Sequence, residues 1–382
     1  MKKQYIIPIF VPHLGCPNSC TFCNQKTISG EQNKVTENDV RETIEYYLNN
    51  FKEKDSYKEV AFFGGSFTGI DVEEQEMLLK TAYDYIVEKK IDGIRISTRP
   101  DYIDKRTLKR LKKYKVKTIE LGVQSTNDYV LEKCRRGHTY EDVKKASKLI
   151  KRYGFVLGHQ MMVGLPDSTE KDEIKTATDL IKLKPNIVRI YPVLVIKGTE
   201  LEKQYLSGEY EPLELNQAVE RCKELSYLFG KKKIKVIRIG LQNTDTICNP
   251  ENQNSEVVAG PYHETFRQLV ESSIYYDTIV NKIKKYNVKV KEVEVVTHPQ
   301  NVSNIVGYKR ENIEKLKNMY DVDLKIIQDI KCSTEKIEVI ISKKYKDFQD
   351  DKEDFVDRKG KRVKSKLEKN KKKLAKEKMK KE

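Results

Sequence analysis

The sequence predicts an α/β protein built on parallel strands, and three observations carry that reading. Short runs rich in Val, Ile and Phe recur through the first two thirds of the chain. Longer charged segments with helical periodicity separate them. The runs are apolar enough to be buried on both faces, as strands joined by crossover helices are. Such a series forms either an open doubly wound sheet or a full or partial (β/α) barrel. Both place their chemistry at the C-terminal ends of the strands.

In chain order the expected strands are Tyr5–Phe10, Val60–Phe63, Ile94–Ser97, Thr118–Val123, Phe155–Val163, Val188–Val195 and Val236–Leu241. Helical periodicity is clearest in Glu73–Lys89 and Tyr140–Tyr153. The alternation stops near Asn243, where the polar stretch Asn243–Ser255 reads as a connector. A helical region from about Thr265 to Tyr286 follows, then a small α/β unit from Val288 to about Ser342. The expected division is a barrel over 1–245, a helical connector over 246–287, a small α+β domain over 288–345 and a basic tail over 346–382.

The 382 residues are 38% apolar and 35% charged, an adequate core under an unusually charged surface. No window approaches the roughly 18 apolar residues of a membrane span. The N-terminal run Tyr5–Phe10 is too short for a signal-peptide core. A cytoplasmic protein without a membrane partner is expected. The net charge of +16 is concentrated at one end: residues 358–382 hold 14 Lys or Arg against 3 Glu, leaving about +5 for the remainder. With Leu367, Leu374 and Met379 almost its only large apolar residues, that tail reads as a disordered polycation, either solubilising or a tether for a phosphate backbone.

The seven cysteines, an odd number, argue against a disulfide framework and for thiolate ligands. Directly after the first strand, Cys16, Cys20 and Cys23 stand in a CxxxCxxC spacing on one loop. Three thiolates so placed can hold three irons of a [4Fe-4S] cubane and leave the fourth open. A zinc site would want a fourth ligand nearby, and only His13 is at hand. A redox thiol pair would open a helix rather than share its loop with a third Cys. Cys134, Cys222, Cys248 and Cys332 are scattered singly and read as packing or incidental surface thiols.

A second group of motifs follows. Phe62-Phe63-Gly64-Gly65-Ser66-Phe67 ends the second strand with two glycines, which let a ligand approach the backbone. Then come Ser97-Thr98-Arg99-Pro100-Asp101-Tyr102, Glu120-Leu121-Gly122-Val123-Gln124-Ser125, Arg135-Arg136-Gly137-His138, His159-Gln160-Met161-Met162-Val163-Gly164-Leu165-Pro166 and Tyr191-Pro192-Val193-Leu194-Val195-Ile196-Lys197-Gly198-Thr199. With the cysteine triad, this series resembles the radical S-adenosylmethionine (SAM) superfamily. Over about residues 5–242 it resembles the elongator complex catalytic subunit family, which modifies the wobble uridine of tRNA.

The resemblance implies a partial barrel of radical SAM type, a [4Fe-4S] cluster on Cys16, Cys20 and Cys23, and SAM chelated to its open iron. It implies SAM contacts at Gly64, Gly65 and Ser66, at Gln124 and Arg136, and at Gln160 near the ribose. A planar guanidinium at Arg136 suits a carboxylate. It also implies an electron donor, and leaves room for an unknown protein partner. No acid–base pair is assigned; His138, His159, Tyr191 and Lys197 are candidates for contacting substrate. The acetyltransferase domain of those relatives has no counterpart of comparable length here, so the resemblance does not carry over the group transferred, nor acetyl-CoA as co-substrate.

The C-terminal unit reads as strand, short helix, glycine turn, amphipathic helix and strand, with another strand at Lys336–Ile341. It resembles a KH module, whose GxxG turn presses the backbone of a single-stranded nucleic acid. The turn here is Gly307-Tyr308-Lys309-Arg310, with Arg in place of the second glycine. Gly307, Lys309 and Arg310 are the expected RNA contacts.

Together these features predict an RNA-modifying radical SAM enzyme, with tRNA as its expected partner. One alternative is a radical SAM enzyme for a small metabolite such as a porphyrin, with the terminal unit as a cap. Another is a non-catalytic RNA-binding factor that keeps an iron–sulfur cluster for structure.

Overall fold

The computed structural model describes residues 3–11, 20–24, 34–53, 55–286, 289–334 and 337–344. Cys16 and the basic tail expected over 346–382 lie outside these residues. The described chain forms two compact units that meet at residue 275/276.

The first unit is built on seven strands: β1 (Gln4–Val11), β2 (Tyr57–Gly64), β3 (Gly93–Thr98), β4 (Val116–Gln124), β5 (Val156–Val163), β6 (Ile187–Pro192) and β8 (Lys235–Ile239). They stand in the sheet in that order, and every pairing is parallel. This is a half-barrel. The short β7 (Val195–Ile196) pairs instead with β9 (Val257–Ala259), antiparallel.

Helices fill the crossovers: α1 (Glu37–Asn50), α2 (Val72–Val87), α3 (Lys105–Lys113), α4 (Asp128–Lys133), α5 (Tyr140–Arg152), α6 (Glu170–Leu183), α7 (Glu200–Leu206) and α8 (Leu215–Lys231). Their starts are written in the sequence. Thr36 with Asp39, Thr139 with Asp142 and Thr169 with Asp172 each form a reciprocal capping box, and Asp104 caps α3 through the Thr107 amide. Each box satisfies two backbone donors that a helix start leaves open.

Side chains alternate across each strand, and the two faces differ. Toward the helices point Ile7, Ile9, Val60, Phe62, Ile94, Ile96, Ile119, Leu121, Leu157, Met161, Val188 and Ile190, all in one continuous core. The inner face carries polar and charged side chains together with Phe10, Phe63 and Met162. There Glu59, Arg95, Glu120 and Arg189 come into contact across the sheet.

The region expected as a connector does more than connect. Within it, β9 extends the β7 edge, and α9 (Phe266–Lys284) begins with Phe266 and Val270 in the core of the first unit. Apolar residues spaced along α9, within the helical region expected from about Thr265 to Tyr286, make that packing possible.

The second unit contains β10 (Val290–Thr297), α10 (Val302–Val306), α11 (Glu311–Tyr320), β11 (Asp323–Gln328) and β12 (Glu338–Lys344). β10 is central, parallel to β11 and antiparallel to β12. Between α10 and α11 the chain turns through Gly307 at φ 83°. A Cβ there would lie 2.9 Å from the Asn312 backbone nitrogen. Lys309 and Arg310 are also left-handed, at φ 48° and 68°, so Arg310 takes a conformation that usually favours glycine.

Candidate active site

At the C-terminal ends of the strands lies a basin lined by Cys20, Cys23, Gly64, Gly65, Ser66, Thr98, Arg99, Gly122, Arg136 and others. Beside it is a larger cavity of about 240 Å³, lined by Phe10, Phe22, Phe63, Met162, Arg189, Tyr191, Leu194, Arg238 and others. Cys23, Gly64, Ser97, Gln124 and Gln160 line both. The two spaces therefore share a wall.

The described residues on either side of 12–19 are fixed by the strands and by backbone bonds. Gly64 closes β2 at φ 110°, and a Cβ there would stand 2.2 Å from the Val11 carbonyl oxygen at the end of β1. No other residue allows that approach, so Gly64 positions the strand end from which the loop departs. Between Cys20 and Cys23, the Thr21 amide donates to the Cys134 carbonyl at 3.2 Å and the Leu201 amide donates to the Thr21 carbonyl at 2.8 Å. Cys20, Phe22 and Cys134 pack in one apolar cluster. Burial pushes the Cys134 thiol up to about 12, so Cys134 stays protonated beside Cys20. Burial likewise raises the Cys222 thiol, which sits in the core against the helices. Among the described residues no group of three or more His, Cys, Asp or Glu converges as a metal site.

Gln124 ends β4 in a left-handed conformation, φ 70°, at a break in the pairing with β5. Its Oε1 is buried without a hydrogen-bond partner. Arg136 donates from one terminal nitrogen to the Gly122 carbonyl at 2.5 Å and from the other to Cys20 Sγ at 3.4 Å, while its Nε has no partner. Gly122 makes room for both side chains. A Cβ on it would meet Arg136 at 3.2 Å and Gln124 at 3.3 Å.

Other expected contacts are placed as follows. Gly65 lines the basin. The Ser66 hydroxyl lies 2.8 Å from that of Thr98 and accepts from the Arg99 amide at 3.2 Å, so it ties β2 to β3 at the basin wall. Gln160 reaches toward Ser97 Oγ at 3.5 Å and lines both spaces. Tyr191 lines the cavity and accepts from Arg189 at 3.3 Å.

Three candidates for touching substrate sit elsewhere. His159 is one step out of phase with Gln160 on β5, so its ring faces the helices and bonds Ser147 Oγ on α5 at 2.9 Å. His138 packs against the backbone of β4, 3.2 Å from the Val123 carbonyl. Burial drives both imidazoles down to about 3, helped at His138 by Arg136 and Arg99. Lys197 is exposed and donates to the Ser255 carbonyl at 2.8 Å, fixing the β7–β9 edge.

Sequence reading passed over the charged residues in mid-strand. Arg95 donates two bonds to Glu59, at 3.0 and 2.7 Å, and one to Glu120 at 2.6 Å. Arg189 grips Glu120 with two more bonds from the far side of β5. Gly158 permits this crossing, because a Cβ there would lie 2.8 Å from Glu120 Cγ. Burial alone would raise the Glu120 carboxyl, but Arg189 and Arg95 outweigh it and hold the group below its usual range. The signal was available: a charge between two apolar neighbours, at Arg95, Glu120, Arg189 and Arg238.

A polar half-barrel whose upper rim carries two thiols, a glycine turn and orphaned hydrogen-bonding groups is the architecture of a radical SAM domain. Residues 10–180 match the family described as the radical SAM superfamily, and residues 185–276 match the radical SAM C-terminal domain. The chain belongs to the radical SAM superfamily of enzymes.

Among its relatives is a tRNA uridine(34) acetyltransferase of Methanocaldococcus jannaschii, 33% identical over 182 residues, which are 42% of this chain and 34% of the relative. The human Elongator complex protein 3 is 31% identical over 42% of this chain and 33% of its own. The chain thus matches about a third of the length of these relatives. Among solved structures, the archaeal Elp3 of Methanocaldococcus infernus with an N-terminal deletion shares the fold, with a TM-score of 0.57, 23% identity, and coverage of 74% of this chain and 64% of that one.

Proposed function

We propose that the chain cleaves SAM reductively at a [4Fe-4S] cluster and uses the resulting radical to modify RNA, with tRNA as the substrate class. The observation that carries this reading is the shared wall between the basin and the cavity. The donor set of the basin fits the implied groups. Cys20 and Cys23 supply thiolates, with Cys16 the third ligand from the loop, and Gln124 Oε1 and Arg136 Nε are buried polar atoms left for a ligand. When bound, cluster and SAM together supply a 5′-deoxyadenosyl radical.

The chain's own residues bind and orient. Arg136 has a nitrogen left for a carboxylate, Gln124 accepts from an ammonium or hydroxyl, Gly65 leaves backbone at the methionine amino group, and Gln160 leaves an amide at the ribose side. Phe10, Phe22, Phe63, Met162, Leu194 and Ile196 keep water from the adjoining cavity, which a carbon-centred radical requires. The Gly307–Arg310 turn, with two cations and its strained backbone, is the surface proposed to hold RNA phosphates.

The test is 5′-deoxyadenosine formation by the anaerobically reconstituted chain with SAM and a low-potential reductant, with and without bulk tRNA from a deletion strain. Stimulation by tRNA is the expected result. Cleavage indifferent to tRNA overturns the RNA assignment in favour of a small substrate, and no cleavage overturns the enzymatic one.

A further inference from the structure

The cavity beside the basin holds two guanidiniums side by side. In the β6–β8 pairing, Arg189 and Arg238 are direct partners, and both side chains line the cavity. Like charges directly opposite on a sheet repel, so each needs compensation. Arg189 has it: two bonds to Glu120 from below, and the Phe63 ring with its centroid 5.0 Å away. Arg238 does not. Among the described residues its one hydrogen bond runs from Nε to the Gly240 carbonyl at 3.2 Å, and it forms no ion pair.

Burial, then Arg189 and Arg267, hold the Arg238 pKa below the usual arginine value, with only Tyr191 opposing. Arg267 is itself satisfied by Glu271 at 2.6 Å and the Ile237 carbonyl at 2.8 Å. Among the described residues no carboxylate therefore answers the charge on Arg238, which lines a cavity whose other walls are largely apolar, with Ser97, Gln124, Gln160, Gln242 and Thr244 as uncharged polar groups. A half-buried cation left in such a place is costly unless a ligand completes it.

We infer that Arg238 is the docking point for an oxyanion of the substrate, a phosphate or a carboxylate, held with Tyr191 at the end of the cavity formed by β6 and β8. The inference deepens the proposed function and rests on its assignment of this cavity to substrate. A planar guanidinium with two open donors recognises either oxyanion bidentately. Gly240, at φ 82°, directs the chain away just after Arg238 and supplies the carbonyl that fixes its Nε. A phosphate would come from the nucleotide being modified. A carboxylate would come from a small co-substrate.

The experiment titrates the reconstituted full chain, with SAM present and at fixed ionic strength, with uridine 5′-monophosphate, uridine and acetate, followed by calorimetry. Saturable binding of one anion is expected. Arg238→Gln should weaken it by about ten- to a hundredfold, the range of a lost charge-assisted hydrogen bond. Arg238→Lys should restore part of the loss. Lys235→Gln, which removes the same charge from the exposed start of β8, should leave binding unchanged. Tighter binding of the monophosphate than of uridine, with acetate silent, supports the inference and identifies a phosphate. Acetate that binds and competes supports it and identifies a carboxylate.

Equal binding of monophosphate and uridine with acetate silent overturns the inference. So does the absence of saturable anion binding, or an equal loss in Lys235→Gln. Should Arg238→Gln not fold, Arg238→Met carries the same comparison. Failure of the RNA reading shows separately: SAM cleavage that ignores tRNA while Arg238→Gln still loses anion binding removes the RNA and keeps the anion site. The reverse pattern keeps the RNA and removes the site.

Discussion

The floor and the rim of the half-barrel both carry arginines, yet these are satisfied to opposite degrees. On the floor, Glu59, Arg95, Glu120 and Arg189 alternate in sign across the sheet, and Thr118 and Gln4 add bonds to Glu59 at 3.0 and 3.2 Å. At the rim, Gln124 Oε1 and Arg136 Nε lack partners, and Arg238 lacks a counter-ion among the described residues. The contrast separates two uses of buried polarity. A closed network holds the strands in register, whereas an open one stores hydrogen-bonding capacity for something that binds.

The sharpest way to break this comparison is to open the floor. In Glu120→Gln, Arg95 and Arg189 lose their shared counter-charge while both stay buried. Removing one partner of a buried ion pair costs about 3–5 kcal/mol. Thermal or denaturant unfolding should show that loss in full. A change below about 1 kcal/mol would mean the floor is no more closed than the rim.

The next largest effect lies at the rim and should fall on the other observable. Arg136→Gln removes the guanidinium beside Cys20 and is expected to weaken SAM binding by about ten- to a hundredfold, as expected for a charge-assisted contact. Folding stability should hold steady or rise, because the substitution removes an incompletely satisfied buried cation. Equilibrium dialysis with SAM and an unfolding curve on the same preparation read both effects. A large stability loss with intact SAM affinity would move Arg136 to the scaffold.

A smaller test addresses how the floor is built. Gly158→Ala places a methyl group 2.8 Å from Glu120 Cγ, in the gap through which Arg189 reaches across β5. Overpacking of this kind costs about 1–3 kcal/mol. Combined with Glu120→Gln it should cost less than the sum of the two, since both act on one contact. Strict additivity, measured by a double-mutant cycle, would mean that Gly158 serves another neighbour, such as Ile187 at 3.1 Å.

The sequence made some of this legible and left some hidden, for physical reasons. The succession of strands was readable because the runs are short and apolar and several are followed by a helix with a side-chain cap, information local to the chain. Gly64, Gly65, Gln124, Arg136 and Gln160 were named because the motif runs that contain them resemble those of a known family, and all five line the basin. The floor was not, because Glu59, Arg95, Glu120 and Arg189 meet only once four strands and the gap at Gly158 are assembled. His159 misled for the opposite reason. It stands in a motif-rich segment, and only the phase of β5 shows that Gln160 and Met162 face inward while His159 faces Ser147.

That phase makes the two buried histidines the subject of the smallest expected effect. Both stay neutral in the folded protein, with pKa values lowered to about 3 against an ordinary value near 6.5. A depressed value means the unfolded chain binds the proton first, so stability is complete above about pH 6.5 and is lost as pH falls toward 3. Between pH 7.5 and 5.5 each histidine should withdraw about 1 kcal/mol, and His159→Gln should remove its share of that slope. The two should differ in their response to the rim. The charge on Arg136 helps to lower the His138 value, while His159 is governed by burial and then Lys151. Arg136→Gln should therefore flatten the part of the acid slope that belongs to His138 and leave that of His159 unchanged, as ring-proton NMR titration of the two imidazoles can follow. Equal responses from both rings would mean that the rim charge reaches through the sheet to the helix layer, and that floor and rim form one electrostatic unit.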